Sequence, residues 1–138
     1  MIKHSALVSF LMHLDYFDAG NMDSFVDDLT VIPAGRGTDA TGQIVVCEME
    51  YTGVYGIADY PHVQFPVQRL LAQISAWLLD HDTDRTTPFD FSVNVETDAS
   101  DDRKADLEIR IPFRETVTAS ADAGGELALA GEHYDVDG

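Results

Sequence analysis

Cysteine and lysine are nearly absent from this sequence, and each shortage excludes something. Cys47 stands alone, so no disulfide can form within the chain, and a reducing compartment is the expected setting. Lysine occurs only at Lys3 and Lys104, and Lys and Arg together number 8 against 25 Asp and Glu, a net charge of -17. Phosphate backbones are bound by Lys and Arg that displace counterions, so direct nucleic-acid readout is not expected. Anionic membrane surfaces are disfavoured for the same reason. Long apolar runs are missing too. Ala6 to Met12 is the nearest approach, far short of the ~20 residues of a membrane span, so no membrane partner is expected. His13 and Asp15 follow that run at once without a clear small-x-small cleavage site, and the expectation is a protein made and kept in the cytoplasm.

What is present suffices for a globular core. With 138 residues, 45% of them hydrophobic, the chain fits one domain that needs no covalent staples. An Asp-rich, Lys-poor surface suits salty surroundings or a basic docking partner, and self-repulsion should be relieved by added salt.

Apolar residues at Ile2, Ala6, Leu7, Phe10, Leu11, Leu14 and Phe17 predict a helix over 2–17, with Gly20 as its stop. A short strand and then a loop, "PAGRGTDATG", are expected over 21–43; Gly35-Arg36-Gly37 lacks the spacing and the Lys-Ser/Thr of a phosphate loop. "QIVVCEMEYTGVYGIADY" reads as a long strand with Val45, Cys47, Met49 and Tyr51 on one face and Val46, Glu48, Glu50 and Thr52 on the other. Gly53 and Gly56 mark a bulge or bend in it. "PVQRLLAQISAWLLD" predicts a second helix with Pro66 in its first turn and a stripe of Val67, Leu70, Leu71, Ile74, Trp77 and Leu78.

"FDFSVNVE" and "ADLEIRIPF" alternate strictly and predict an antiparallel pair with one buried and one wet face. The polar "TDASDDRKAD" joins them as a loop, and Pro112 belongs at an edge or near a strand end. The fold class is therefore α+β: an antiparallel or mixed β-sheet with two α-helices packed on one face. Residues 1–120 are expected as a single domain and 121–138 as a flexible C-terminal arm.

Chemistry is sparse. No Gly-x-Ser-x-Gly occurs, Cys47 sits within a strand, and the five histidines show no ligand spacing. Three acidic clusters, Asp80/Asp82/Asp84, Asp98/Asp101/Asp102 and Asp135/Asp137, do not match a calcium-binding helix–loop–helix and read as solvated surface. Asp80 and Asp82 lie near a helix C-terminus, where the dipole disfavours negative charge by ~0.3–1 kcal/mol each. No catalytic residue, metal site or cofactor is expected.

The order of segments from about 44 to 118 resembles the tail completion protein R family of P2-like contractile-tailed phages. The likeness lies in the long strand running into "ADY", the helix closing on Trp77-Leu78, the short polar stretch, and the final "ADLEIRIPFRETV". Pro112 departs from the pattern, in which a polar residue is expected. The resemblance implies a structural virion protein in the tail, assembled in the host cytoplasm, with a tail-terminator-like fold. It implies a self-assembled ring, hexameric in the usual case, that caps the tail tube protein at its head-proximal end and meets the head–tail connector proteins. Such subunits would pair through strand edges such as 44–52 or 107–117. Glu48, Glu50, Asp82, Asp84, Arg110 and Arg114 are the candidate interface residues. The bland alternative is that Glu48, Glu50, Arg110 and Arg114 pair within one sheet, at ~0–1 kcal/mol. An acidic binding module, a DNA mimic or inhibitor on a basic protein surface, is the competing function, and a calcium-dependent enzyme is the third.

Overall fold

The computed structural model describes residues 1–37, 42–83, 85, 90–98 and 100–137. In chain order these form α1 (Ile2–Met12), a 3-10 turn (Ala19–Asn21), β1 (Met22–Gly37), β2 (Gln43–Tyr60), α2 (Val67–His81), β3 (Ser92–Asp98), β4 (Asp101–Ala121), β5 (Leu127–Leu129) and β6 (Glu132–Val136). The sheet is six-stranded and mostly antiparallel, ordered β1-β2-β4-β6-β5 with β3 paired to β4. The fold is thus α+β, as the alternation of strand and helix patterns predicted. The chain divides into two compact units, Met1–Asp27 with Thr52–Phe113 and Asp28–Tyr51 with Arg114–Gly138.

In the first unit the α2 stripe is largely buried as predicted, whereas in α1 Ile2 is 73% exposed and Ala6 is exposed too. Leu7 and Leu11 of α1, and Leu70, Ile74, Trp77 and Leu78 of α2, are all buried, as are Tyr55, Ile57, Leu107, Ile109, Ile111 and Phe113 of the strands. Each such side chain contributes roughly 1.5–3 kcal/mol of transfer free energy. α1 is shorter than its apolar spacing suggested. It ends at Met12, and the chain then turns through Asp15 at φ 57° before Asp18 accepts a hydrogen bond from the Gly20 N–H at 3.0 Å. Leu14 and Phe17 therefore continue the apolar pattern without continuing the helix. Tyr16 stacks on Phe65 at 4.8 Å between centroids, with the Arg69 guanidinium over its ring.

Gly53 makes room for its neighbours. A Cβ there would lie 2.6 Å from Tyr55 Oη and 2.9 Å from His4 Nδ1. Those two atoms are hydrogen-bonded to each other at 2.9 Å in the core.

β3 and β4 pair antiparallel as predicted, in a register that sets Val93 opposite Ile109 and Val95 opposite Leu107. The loop expected over 97–106 is mostly strand, because β4 already starts at Asp101. Pro112 stands inside β4, not at its end. Pairing with β3 stops at Arg110, so the missing N–H of Pro112 breaks no rung of that ladder. Its carbonyl accepts from Arg85 Nη1 at 3.0 Å.

In the second unit β1 extends through Pro33 to Gly37, where a loop was expected; a sheet's outermost strand tolerates proline. Val45, Tyr51 and Ala119 are buried. β5 and β6 form a hairpin in which Leu129 pairs with Glu132 around Ala130 and Gly131, at φ 53° and 81°. Two successive positive φ values give the turn that matches strand twist. β6 pairs in turn with the end of β4, Ala119 with Val136 and Ala121 with Tyr134, so regular structure reaches into the segment beyond 120.

Candidate functional site

Strand alternation places the charged candidates. On β2, Glu48 and Glu50 point away from the Val45–Tyr51 face, and on β4 Arg114 points away from Phe113 and Glu115. The structure brings these charges together in the second unit. Arg114 Nη2 donates to Glu48 Oε2 at 2.6 Å, its Nε lies 3.8 Å from Glu50 Oε1, and Arg36 of β1 reaches Glu48 Oε1 at 3.0 Å. The result is a charge ladder across β1, β2 and β4. The Arg114 guanidinium, and after it that of Arg36, holds the Glu48 carboxyl below its ordinary range.

Arg110 has other partners. Its guanidinium donates to Asp27 at 2.8 Å and to Glu108 at 3.2 Å within the first unit. Asp82 is not on the surface at all. It is 3% exposed, accepts from Lys3 Nζ at 2.6 Å and Arg85 Nη1 at 2.9 Å, and its N–H donates to the Leu78 carbonyl at the end of α2. The acid that is poorly placed against the helix dipole is thus compensated by two cations, one from α1 and one from beyond α2. Asp84 lies outside the described residues.

Of the strand edges expected at 44–52 and 107–117, the first is interior, since β2 lies between β1 and β4. On its other side β4 pairs with β3 up to Arg110 and with β6 from Ala119. Among the described residues the sheet path ends in β1 and β5, and on the second-unit portion of β1 Leu29, Val31 and Ile32 are 47%, 50% and 41% exposed. Unpaired backbone beside exposed apolar side chains is a template for a further strand. Sequence reading missed it because 21–43 mixes Asp, Gly and Thr without alternation.

Two further groups were not anticipated. Glu115 continues the inward face of β4 after Ile111 and Phe113; it is 8% exposed and accepts a short hydrogen bond from the Tyr51 hydroxyl. Strict alternation was the available signal, since it assigns position 115 to the core whatever the residue. Asp137 accepts from Gln43 at 2.9 Å, Thr118 at 2.8 Å and Ser120 at 2.7 Å, and these donors, Gln43 foremost, lower its pKa. They tie the end of the chain to β2 and β4.

Among the described residues no group of three or more His, Cys, Asp or Glu could hold a metal ion. None of the described helices is long and apolar enough to cross a membrane. In the first unit a groove of about 420 Å³ runs over β1, β2, β4 and β3, and in the second an apolar one of about 390 Å³ is lined by Pro33, Ile44, Val46, Leu127, Leu129 and Tyr134.

A family model described as P2 phage tail completion protein R (GpR) matches residues 1–137. The chain is 32% identical over 118 residues to the uncharacterized 19.2 kDa protein in the rep-hol intergenic region of Haemophilus phage HP1 (strain HP1c1), covering 86% of this chain and 70% of that protein. No solved structure matches.

Proposed function

Because the chain belongs to the P2 phage tail completion protein R (GpR) family, with a role in phage tail completion, we propose that it acts as a non-enzymatic ring at the head-proximal end of the tail. Copies join head to tail, close on the last tube disc, stop its growth and present a rim to the head's connector proteins. A head-to-tail contact whose rotation closes makes such a ring, and its two rims differ, as two different partners require.

The family match over residues 1–137 carries this reading. The exposed apolar β1 edge supports it as the place where a neighbouring subunit adds. Glu48, Glu50, Arg110 and Arg114 are all engaged within the chain, so their part in subunit contacts requires exchange of these exposed pairs for cross-subunit ones. A tail-terminator-like layer of two helices over one sheet face, and residues 121–138 as an arm outside a domain of residues 1–120, complete the proposal.

The test is a phage deleted for this gene, scored by negative-stain microscopy of its lysate, with mass photometry of the pure protein added to purified tubes. Headless tails of uncontrolled length, restored by the wild-type chain, are expected, together with a multimer on tube ends. Normal virions from the deletion would overturn the reading. So would pure chain that stays off tubes and instead inhibits a basic DNA-binding enzyme, which is the acidic-module alternative.

A further inference from the structure

We propose that the open sheet face of the first unit is a docking groove for a basic, partly apolar segment of another virion protein, not for a second copy of this chain. The inference rests on the tail-completion reading and adds the chemistry of the partner.

The groove encloses about 420 Å³, with Gly56 and Ala58 of β2 as its floor. Both are small, so β2 contributes little height between its neighbours. Phe25 of β1 stands at one side, 54% exposed, an aromatic ring that favours an apolar cover. Around it stand four carboxylates from three strands: Asp23, Glu96, Asp106 and Glu108. Glu108 shares Arg110 with Asp27, and Asp106 accepts from the Asp59 N–H at 3.0 Å. Asp23 and Glu96 have no cation partner among the described residues. Four strands at ~4.8 Å spacing make the groove ~15 Å across, a span that about five extended residues cover.

A second copy is poorly equipped to fill it. Lys3 and Arg85 are held by Asp82, Arg110 by Asp27, and Arg36 and Arg114 by Glu48. Arg69 lies over the Tyr16 ring. Of the 8 cations in the chain that leaves Arg103 and Lys104, and Lys104 already lines a cleft with Asp59, Glu96 and Asp106. Two chains of charge -17 also repel. The complementary occupant carries several Lys or Arg around one apolar residue.

The experiment titrates the ¹⁵N-labelled full chain with a lysine-rich nonapeptide bearing one central leucine, and with nonalysine. The leucine peptide should bind about tenfold tighter, the return from burying one apolar side chain, with amide shifts confined to the strands around Gly56, Ala58 and Asn94. Phe25→Ser should erase the leucine advantage, and Asp23→Asn with Glu96→Gln should weaken both peptides about tenfold. Both sites are exposed, and unchanged melting confirms intact folds. Equal affinity for nonalysine, with shifts spread to the carboxylates of 126–137, overturns the proposal in favour of unspecific charge attraction. Peptide-independent self-association that shifts the same amides and disappears in Arg103→Gln/Lys104→Gln overturns it in favour of a second copy. The tail-completion reading is scored separately on the deletion phage, so a chain that caps tails but ignores the peptide loses only the groove.

Discussion

Replacing Asp82 by Asn keeps the shape of a buried side chain and deletes its charge, which isolates what the Lys3–Asp82–Arg85 cluster contributes. The Asp82 side chain is 2% exposed, with Lys3 at 20% and Arg85 at 11%. Removing one member of a buried ion pair costs about 3–5 kcal/mol, because the remaining charge stays desolvated without compensation. Here two cations lose their anion together, so the upper half of that range applies. Unfolding entropy of about 2.1 cal/mol/K per residue gives ~0.3 kcal/mol/K for the whole chain, and 3 kcal/mol then lowers Tm by at least about 10 °C. The assay is thermal and urea unfolding of Asp82→Asn, Lys3→Met and their double mutant, at 0.1 M and again at ~1 M salt, where exposed pairs are screened and buried ones much less. Non-additivity of 1 kcal/mol or more in that cycle is expected at both salt concentrations. The apolar triple Lys3→Met/Asp82→Leu/Arg85→Met should recover most of the loss, short of the ~1 kcal/mol hydrogen bond to the Pro112 carbonyl. Asp82→Asn within 1 kcal/mol of wild type would refute the reasoning and return Asp82 to a surface role, read in assembly instead of melting.

Four other outcomes are open to measurement. Net charge of -17 predicts a Tm that rises as NaCl is added from low ionic strength, and a flat or falling curve excludes dominant self-repulsion. Gly53→Ala forces a Cβ to 2.6 Å from Tyr55 Oη and should cost about 1–3 kcal/mol in urea unfolding; a neutral result would mean that the His4–Tyr55 pair moves at no cost. Glu48 and Asp137 have folded pKa values below their ordinary 4.5 and 3.8, so the stability they give is complete above those values and is lost as pH falls through the lower folded ones. Hydrogen exchange of the 127–136 hairpin should therefore accelerate below about pH 4, and Asp137→Asn should flatten that acid limb. Ala130→Asn, at φ 53° in the hairpin turn, should slow the same exchange and stabilise by about 0.5–1 kcal/mol.

How much of this was legible in the sequence depended on periodicity. The Val67–Leu78 stripe and the Leu107–Phe113 alternation each repeat long enough to fix an element and its buried face, and with the Phe91–Val95 alternation they gave the antiparallel β3–β4 pair, although Val95 is 46% exposed. β1 was expected only as a short strand because residues 28–33 are exposed on both faces, so no burial imposes an alternation that would reveal its length. The edge expected at 44–52 was misassigned for a related reason. Alternation there says that one face is wet, but it carries no information on whether the flanking backbone is paired. Charge partners were legible only as types. Glu48 and Glu50 were set against Arg110 and Arg114 as candidates for cross-subunit pairs, of which Arg110 instead meets Asp27, whereas the Asp82 cluster joins positions 3, 82 and 85 through a packing of α1 against the end of α2 that no local pattern encodes.

The electrostatics of the fold and of its outward surface therefore run in opposite directions. Cations are few, and most lie against carboxylates or rings of their own chain: two around Asp82, two on Glu48, one between Asp27 and Glu108, one over Tyr16. Each pairing removes a basic residue that another copy would need, and leaves carboxylates such as Asp23 and Glu96 facing outward. Salt relieves the repulsion among those carboxylates and so favours the folded chain, while it weakens any basic segment docked on them. Apolar contact, which ordinary salt does not screen, must then supply the part of assembly that persists at high ionic strength. Phe25 in the groove and Leu29, Val31 and Ile32 on the β1 edge are among the exposed apolar residues that offer it. Cross-subunit contact through that edge and hetero-docking through that groove are thus separable by salt: the first strengthens with the fold, and the second declines until only its Phe25 contribution is left.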